Sequence, residues 1–362
     1  SMRWNSSNIA FSRPIRWIMA LFGETVIPFE YANNISGNVT QGLRPYGSPQ
    51  IEIANGNAYF EAMNEQGIIL DRSQRRELIV EQITALADEV KGRIPDNPGL
   101  LDEVANLIEA PTALRGTFAE ESLGLPRDVL VTVMRKHQRY FPVEDANGDL
   151  MAYFIAVRNG DGEHLDKVIH GNEHVLRARF SDANFFYNED IKKPLNEYLP
   201  RLDTLTFQEK LGSMLDKNNR VASLVEQMGA LLNVSPIDIE IAQQSAEIGK
   251  ADLATNMVVE MTSLQGAIGR EYALLGGHSE EVANAIYEHW LPRYSGDSVP
   301  VSAAGTMLAL LDRLDSLVGL FAAGLAPKST ADPYGLRRAA LGVIQIMMDK
   351  ELDADLAKAI GI

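Results

Sequence analysis

The chain has 362 residues, 46% of them hydrophobic, with 33 Lys plus Arg against 49 Asp plus Glu and a formal net charge of −16. That length accommodates about two domains of ~150 residues with buried cores, and the composition excludes a disordered or fibrous chain. The charge excludes a surface uniformly attractive to phosphate or anionic lipid, and the lack of cysteine excludes disulfides, thiolate metal sites, iron–sulfur clusters and thiol catalysis.

No run of ~18 apolar residues occurs and no basic-then-apolar leader opens the chain, so a cytoplasmic protein without membrane contact is expected. Ser1-Met2 reads as a processing scar, and the abrupt ends suggest a central fragment of a longer chain.

In chain order, the apolar runs Ile15 to Leu21 and Val26 to Phe29 flank Gly23-Glu24 and predict a buried β-hairpin bounded by Pro14 and Pro28. Leu78, Ile79, Ile83, Leu86 and Val90 recur at helical spacing within Asp71 to Arg93, which predicts an amphipathic helix; a second covers Leu100 to Ile108. Pro126-Arg127-Asp128 opens a short helix through Val133. A hairpin follows, formed by an apolar strand, an Asn147-Gly148 turn and a strand from Met151 to Val157. Val168 to Pro200 is polar and helical in pattern with a break at Pro194, and serves as a bridge between domains.

The second half reads almost entirely as helices. Ser279-Glu280-Glu281 caps one that carries Val282, Ile286 and His289 on one side. Asp332-Pro333 predicts the start of the last helix, with Asp as cap, Pro at the first helical position and Leu336, Ala340, Val343 and Met347 on its packed face. The expected class is α+β, with a mixed domain over 1–167, a bridge over 168–203 and a helical domain over 204–362.

Two regions carry candidate chemistry. Arg135, Lys136, His137 and Arg139 run into Tyr140 and Phe141, and basic groups interleaved with aromatics suit phosphate contact and base stacking. The alternative is a solvated helix end leading into a core strand. Arg337 and Arg338 stand in the first turns of the last helix, where cations oppose the helix dipole; Arg338 lies on the more polar side and is the better contact candidate. No Gly-rich phosphate loop and no defensible Ser-His-Asp or paired-carboxylate signature is present.

The order Lys217, Ala251-Asp252, His289 and Asp312 resembles the HD superfamily of metal-dependent phosphohydrolases, in which His and Asp from several helices hold a divalent metal. Two expected imidazoles are replaced, by Lys217 and Ala251. Asp252, His289 and Asp312 remain as potential ligands or as packing and hydrogen-bonding groups, and a degenerate site without metal is expected.

Long blocks resemble a known family: FSRPIRW from Phe11, MRKHQRYFPV from Met134, GNEHVLRARFSDANFFYNED from Gly171, LPRLDTLTFQEKLGSMLDKNNR from Leu199, KADLATNMVVE from Lys250, AIYEHWLPRYSGD from Ala285 and DPYGLRRAALGVIQI from Asp332. They are similar to the β subunits of bacterial heterotetrameric glycyl-tRNA synthetases. The resemblance implies a B3/B4-like α/β module followed by an HD-like helical domain, and tRNA(Gly) and an α subunit as partners in an α2β2 assembly. ATP and Mg would act on the α subunit, with no cofactor in this chain. tRNA contacts would fall on Arg135, Lys136, His137, Arg139, Tyr140 and Arg338. One departure is Gly42-Leu43-Arg44-Pro45-Tyr46-Gly47, which lacks the His of the family's Gly-His-Arg-Phe turn but keeps the Arg at Arg44. The rival readings are an HD-type phosphohydrolase using Asp252, His289 and Asp312, and a B3/B4-type editing hydrolase. Editing is weakly needed for glycine, since a small site excludes larger amino acids sterically.

Overall fold

The computed structural model describes residues 2–329 and 331–362, so Ser1 of the expected scar lies outside the described residues. The class is α+β, and the chain divides into two compact units, Ser1–Arg179 and Phe180–Ile362.

In the first unit, helices α1 (Arg72–Asp88) and α2 (Pro98–Leu107) cover a three-stranded antiparallel sheet. Its strands are β1 (Pro111–Thr117), β2 (Phe141–Glu144) and the central β3 (Leu150–Asn159), and between β1 and β2 lies the short helix α3 (Arg127–Thr132). Register runs from Pro111 opposite Asn159 to Thr117 opposite Tyr153, with Phe141 opposite Ile155 on the other edge. The period-2 alternation of β2 and β3 sends Phe141, Val143 and Ile155 toward Ile79, Ile83, Leu101 and Val104 of the two helices. Asp71 caps α1 by accepting from the amides of Ser73 and Gln74 at 2.6 and 3.2 Å.

The predicted first hairpin exists around Gly23-Glu24, but it pairs only Leu21–Phe22 with Thr25–Val26 and is not buried. Phe22 is 81% exposed, and Ile27 and Phe29 are also exposed. The apolar run before it is split, because Ile18–Met19 pairs in parallel with Ser36 and Gly37 instead. Two-residue strands flanked by prolines have too few paired groups to bury both apolar runs.

The second unit is mainly helical, with a small strand pair, Thr206–Gln208 and Gly212–Ser213, that the sequence pattern did not show. The predicted bridge is a helix, α4 (Leu165–Asp190), through which the boundary between units passes, then a 3-10 segment Leu195–Thr204 with Pro194 at its cap. Helices α5 (Met214–Ser223), α6 (Pro236–Ile248), α7 (Ala267–Leu275), α8 (Glu280–Glu288), α9 (Ala303–Ala322) and α10 (Leu336–Asp349) follow. The core gathers Val221, Ala242, Ala246, Ala285, Met307, Leu308, Leu311 and Val343. Small residues at Ala242, Ala246 and Ala285 let these helices approach closely. Ser279 caps α8 as expected, accepting from the Val282 amide at 3.3 Å.

The start of α10 corrects the sequence expectation. Pro333 stands outside the helix, which begins at Leu336 after a left-handed Gly335 (φ 66°). Asp332 still caps it from a distance, accepting from the amides of Leu336 and Arg337 at 2.9 Å each. Leu336 and Val343 are buried and Met347 packs against the core as expected, joined by Gly342 and Ile346, whereas Ala340 is exposed.

Candidate functional site

In the second unit, Lys217 rises from α5, Lys250 follows α6, His289 closes α8, and Asp312 and Asp315 lie one turn apart on α9. The capping box of Ser213 and Asp216 fixes the start of α5, and Ser302, which donates to the Glu288 carboxylate, caps α9. These caps set the rotation at which the charged side chains meet.

The two ammonium groups converge on one carboxylate. Lys217 Nζ lies 3.2 Å and Lys250 Nζ 2.9 Å from Asp312 Oδ1. Lys217 also donates to Asp315 Oδ2 at 2.9 Å, to the Asp312 carbonyl at 2.9 Å and to Ser316 Oγ at 2.8 Å, which exhausts its three donors. Arg220 Nε donates to the other oxygen of Asp315 at 2.7 Å. Lys250 donates to His289 Nε2 at 3.1 Å and sits over the Trp290 ring at 4.0 Å. His289 Nδ1–H donates to the Ile286 carbonyl at 2.6 Å, which assigns the neutral tautomer with Nε2 as acceptor.

The electrostatics follow from this packing. Burial and then the neighbouring Lys250 hold His289 well below the usual imidazole value. Burial works to raise Asp312, but the ammonium groups of Lys217 and Lys250 outweigh it and keep the carboxylate far below its ordinary range. Lys250 is lowered by burial, with Asp312 opposing that shift.

His289 Nε2 and Asp312 Oδ1, two atoms of metal-ligand type, are thus both turned onto the Lys250 ammonium. Asp252 is elsewhere engaged: its Oδ2 accepts from the Gly266 amide, at 2.5 Å, beside the start of α7, and burial raises its pKa to about 6. Among the described residues, no group of three or more His, Asp or Glu is gathered to hold a metal ion. Ala251 is fully buried and supplies only a methyl group. The residual cavity beside Lys250, His289 and Asp312 measures about 10 Å³, room for one water molecule and not for a phosphomonoester.

In the first unit, α3 continues as a π-helical turn, Val133–Gln138, closed by Arg139 in the left-handed region (φ 57°). Such turns widen a helix locally and recur at functional sites. Lys136, His137 and Arg139 are exposed and Arg135 is half-buried. Arg139 Nε pairs with Glu103 at 2.9 Å, both side chains being exposed. Tyr140 corrects the stacking expectation. It is only 6% exposed, stacks on Phe154 with ring centroids 4.7 Å apart, and donates to Asn172 Oδ1 at 2.9 Å. Its faces belong to the core.

Arg338 is exposed on α10, its guanidinium over Gly335, at an open groove of about 770 Å³ that Tyr294, Leu341, Ile344 and Met348 also line. Arg337 is fixed by the Ser329 carbonyl at 2.6 Å. Sequence reasoning missed Lys250, Asp315 and Arg220 in the second unit, and Arg127 and Glu144 in the first. The available signal for Lys250 was its place immediately before the substituted Ala251.

The geometry therefore defines a chain with a cation-filled buried centre and an arginine-rich helix end. A family model described as glycyl-tRNA synthetase beta subunit matches residues 1–361, and the chain belongs to that family. Its relatives include the chloroplastic/mitochondrial glycine–tRNA ligase 2 of Arabidopsis thaliana, 47% identical over 99% of this chain and 34% of that protein. The glycine–tRNA ligase beta subunits of Halothermothrix orenii and Bacillus subtilis are 45% and 44% identical, over 99% and 97% of this chain and 52% and 51% of theirs. The chain spans about half the length of these beta subunits. Among the described residues, no helix is long and apolar enough to cross a membrane.

Proposed function

We propose that this chain is the part of a glycine–tRNA ligase β subunit that binds and positions tRNA(Gly), in the cytoplasm, for ATP-dependent glycylation on a separate α subunit of an α2β2 enzyme. The observation that carries this reading is the family match over residues 1–361. On this reading residues 1–167 form a B3/B4-like module and 204–362 an HD-like domain, joined through 168–203. The HD-like domain serves as scaffold, a reading supported by the Lys217 and Lys250 ammonium groups, which pair with the Asp312 carboxylate that hydrolysis would need as a metal ligand. ATP and Mg act on the α subunit.

The proposed tRNA contacts are Arg135, Lys136, His137 and Arg139 in the first unit and Arg338 in the second. Tyr140 is withdrawn as a stacking group because both ring faces are packed. Filter binding of tRNA(Gly) to the chain with Arg135, Lys136 and Arg139 changed to Ala is the test. The expected result is weaker binding and a shallower dependence on salt, by ~0.7–0.9 in log–log slope per lost phosphate contact. Unchanged affinity and slope would refute the assignment.

A further inference from the structure

The surroundings of Arg135 are unbalanced in charge. Three guanidinium groups, Arg93, Arg127 and Arg135, share the single buried carboxylate of Glu144, whose side chain is 4% exposed. Arg127 pairs with its Oε1 and Arg93 Nη2 lies 3.4 Å from its Oε2, so each oxygen already faces one guanidinium. Two main-chain hydrogen bonds between Arg93 and Glu144, of 2.7 and 2.9 Å, fix the backbone that carries that carboxylate. Arg135 is left over. Its Nε is buried with no partner, and no ion pair to its guanidinium forms among the described residues. Burial and the charge of Arg127 both act against it.

A guanidinium cannot shed its proton to relieve this arrangement. Half-burying an unpaired cation beside a like charge opposes folding, so the arrangement is not one that serves stability. Arg127 and Arg135 are eight positions apart across α3 and the π-helical turn, which places both on one side of the helix. Two such forks, one rigidly held and one unpartnered, suit the tetrahedral oxygens of a phosphate group.

We propose that Arg135 and Arg127, the latter held by Glu144, form a phosphate-binding site that takes a backbone phosphate of RNA. The RNA assignment rests on the tRNA reading above; the phosphate site does not. The site adds Arg127 to the contact set, with Glu144 as the residue that positions it, and makes Arg135 its centre.

The test uses the 362-residue chain labelled with 15N-arginine, titrated with inorganic phosphate and followed at the arginine Nε–Hε resonances. The expected result is a saturable shift of Arg135 Nε that an equal ionic strength of chloride does not produce and that Arg127→Gln abolishes. Arg135→Gln is expected to raise the melting temperature while weakening tRNA(Gly) binding on the order of tenfold, as for one charge-assisted contact. Arg135→Lys, keeping charge without the fork, should recover only part of that affinity.

No phosphate-dependent shift, or a fall in melting temperature in Arg135→Gln, overturns the site. A phosphate response combined with unaltered tRNA binding in both Gln variants overturns the RNA assignment, even if Lys136 and Arg139 substitutions weaken binding and the tRNA reading stands. A phosphate response in a chain that does not bind tRNA sinks that reading and supports the phosphate site.

Discussion

The buried centre of the second unit and the arginine end of the first unit are both clusters of cations around few carboxylates, and they resolve their charge differently. In the second unit, Lys217, Arg220 and Lys250 face Asp312 and Asp315, and the remaining donors find the Asp312 carbonyl, Ser316 and the His289 lone pair. In the first unit, Arg93 and Arg127 face the two oxygens of Glu144, and among the described residues the buried Nε of Arg135 has no partner. A buried charge with every donor engaged holds helices together; a half-buried charge with a missing partner is a place for something from outside. The difference lies in the partners, since the residue types are nearly the same.

The largest test of that contrast is Asp312→Ala. It leaves the buried Lys250 ammonium without its ion-pair partner, facing His289 and Trp290. Removing one partner of a buried ion pair costs about 3–5 kcal/mol, so urea denaturation should show a loss of that order at neutral pH. The sign with pH is fixed by direction: Asp312 is held below its unfolded value, so its contribution is complete above about pH 4 and fades as pH falls further toward the folded value. A loss below about 1 kcal/mol would mean that the centre is not what ties α5, α8 and α9 together. Arg135→Gln, changing stability in the opposite direction, is the paired control.

Much of this was legible in the sequence, and the failures share a cause. The cap at Ser279, the Asn147-Gly148 hairpin and the amphipathic spacing of α1 depend on neighbours along the chain, and each was recovered. The exposed first hairpin, the delayed start of α10 and the packed Tyr140 depend on what the rest of the fold covers. Periodicity shows that Tyr140 alternates with its neighbours, but not that Phe154, whose ring tip fills the space beside Gly116, offers it a stacking partner. The HD-type resemblance drew attention to Lys217 and Ala251, where imidazoles would stand. That Lys250 would turn its ammonium onto both His289 Nε2 and Asp312 Oδ1 required the packing of α6 against α8.

Asp252 lies in the same unit but outside the paired cluster, and one of its oxygens is buried without a partner. Burial raises its pKa from 3.8 to about 6. Between those values the folded chain holds a proton that the unfolded chain releases, so stability falls as pH rises across that window and the penalty is complete above it. Asp252→Asn keeps an oxygen acceptor for the Gly266 amide and removes the charge. It should gain roughly 1–3 kcal/mol at pH 7.5 and flatten the stability profile between about pH 4 and pH 6. Lower stability at every pH would show that the ionised carboxylate is used by its surroundings.

The smallest expected effect falls on Tyr140, which borders the arginine end yet belongs to the core. Tyr140→Phe preserves the ring on Phe154 and deletes one hydrogen bond, to Asn172. Such a bond contributes about 1 kcal/mol net, and thermal denaturation should register a loss of that size. Because the ring has no free face, affinity for tRNA(Gly) should be unchanged even where Arg135→Gln weakens it. If Tyr140→Phe reduced RNA affinity without lowering stability, the hydroxyl would be a contact group, and the line drawn here between paired, structural groups and unpaired, binding ones would fail at its nearest point.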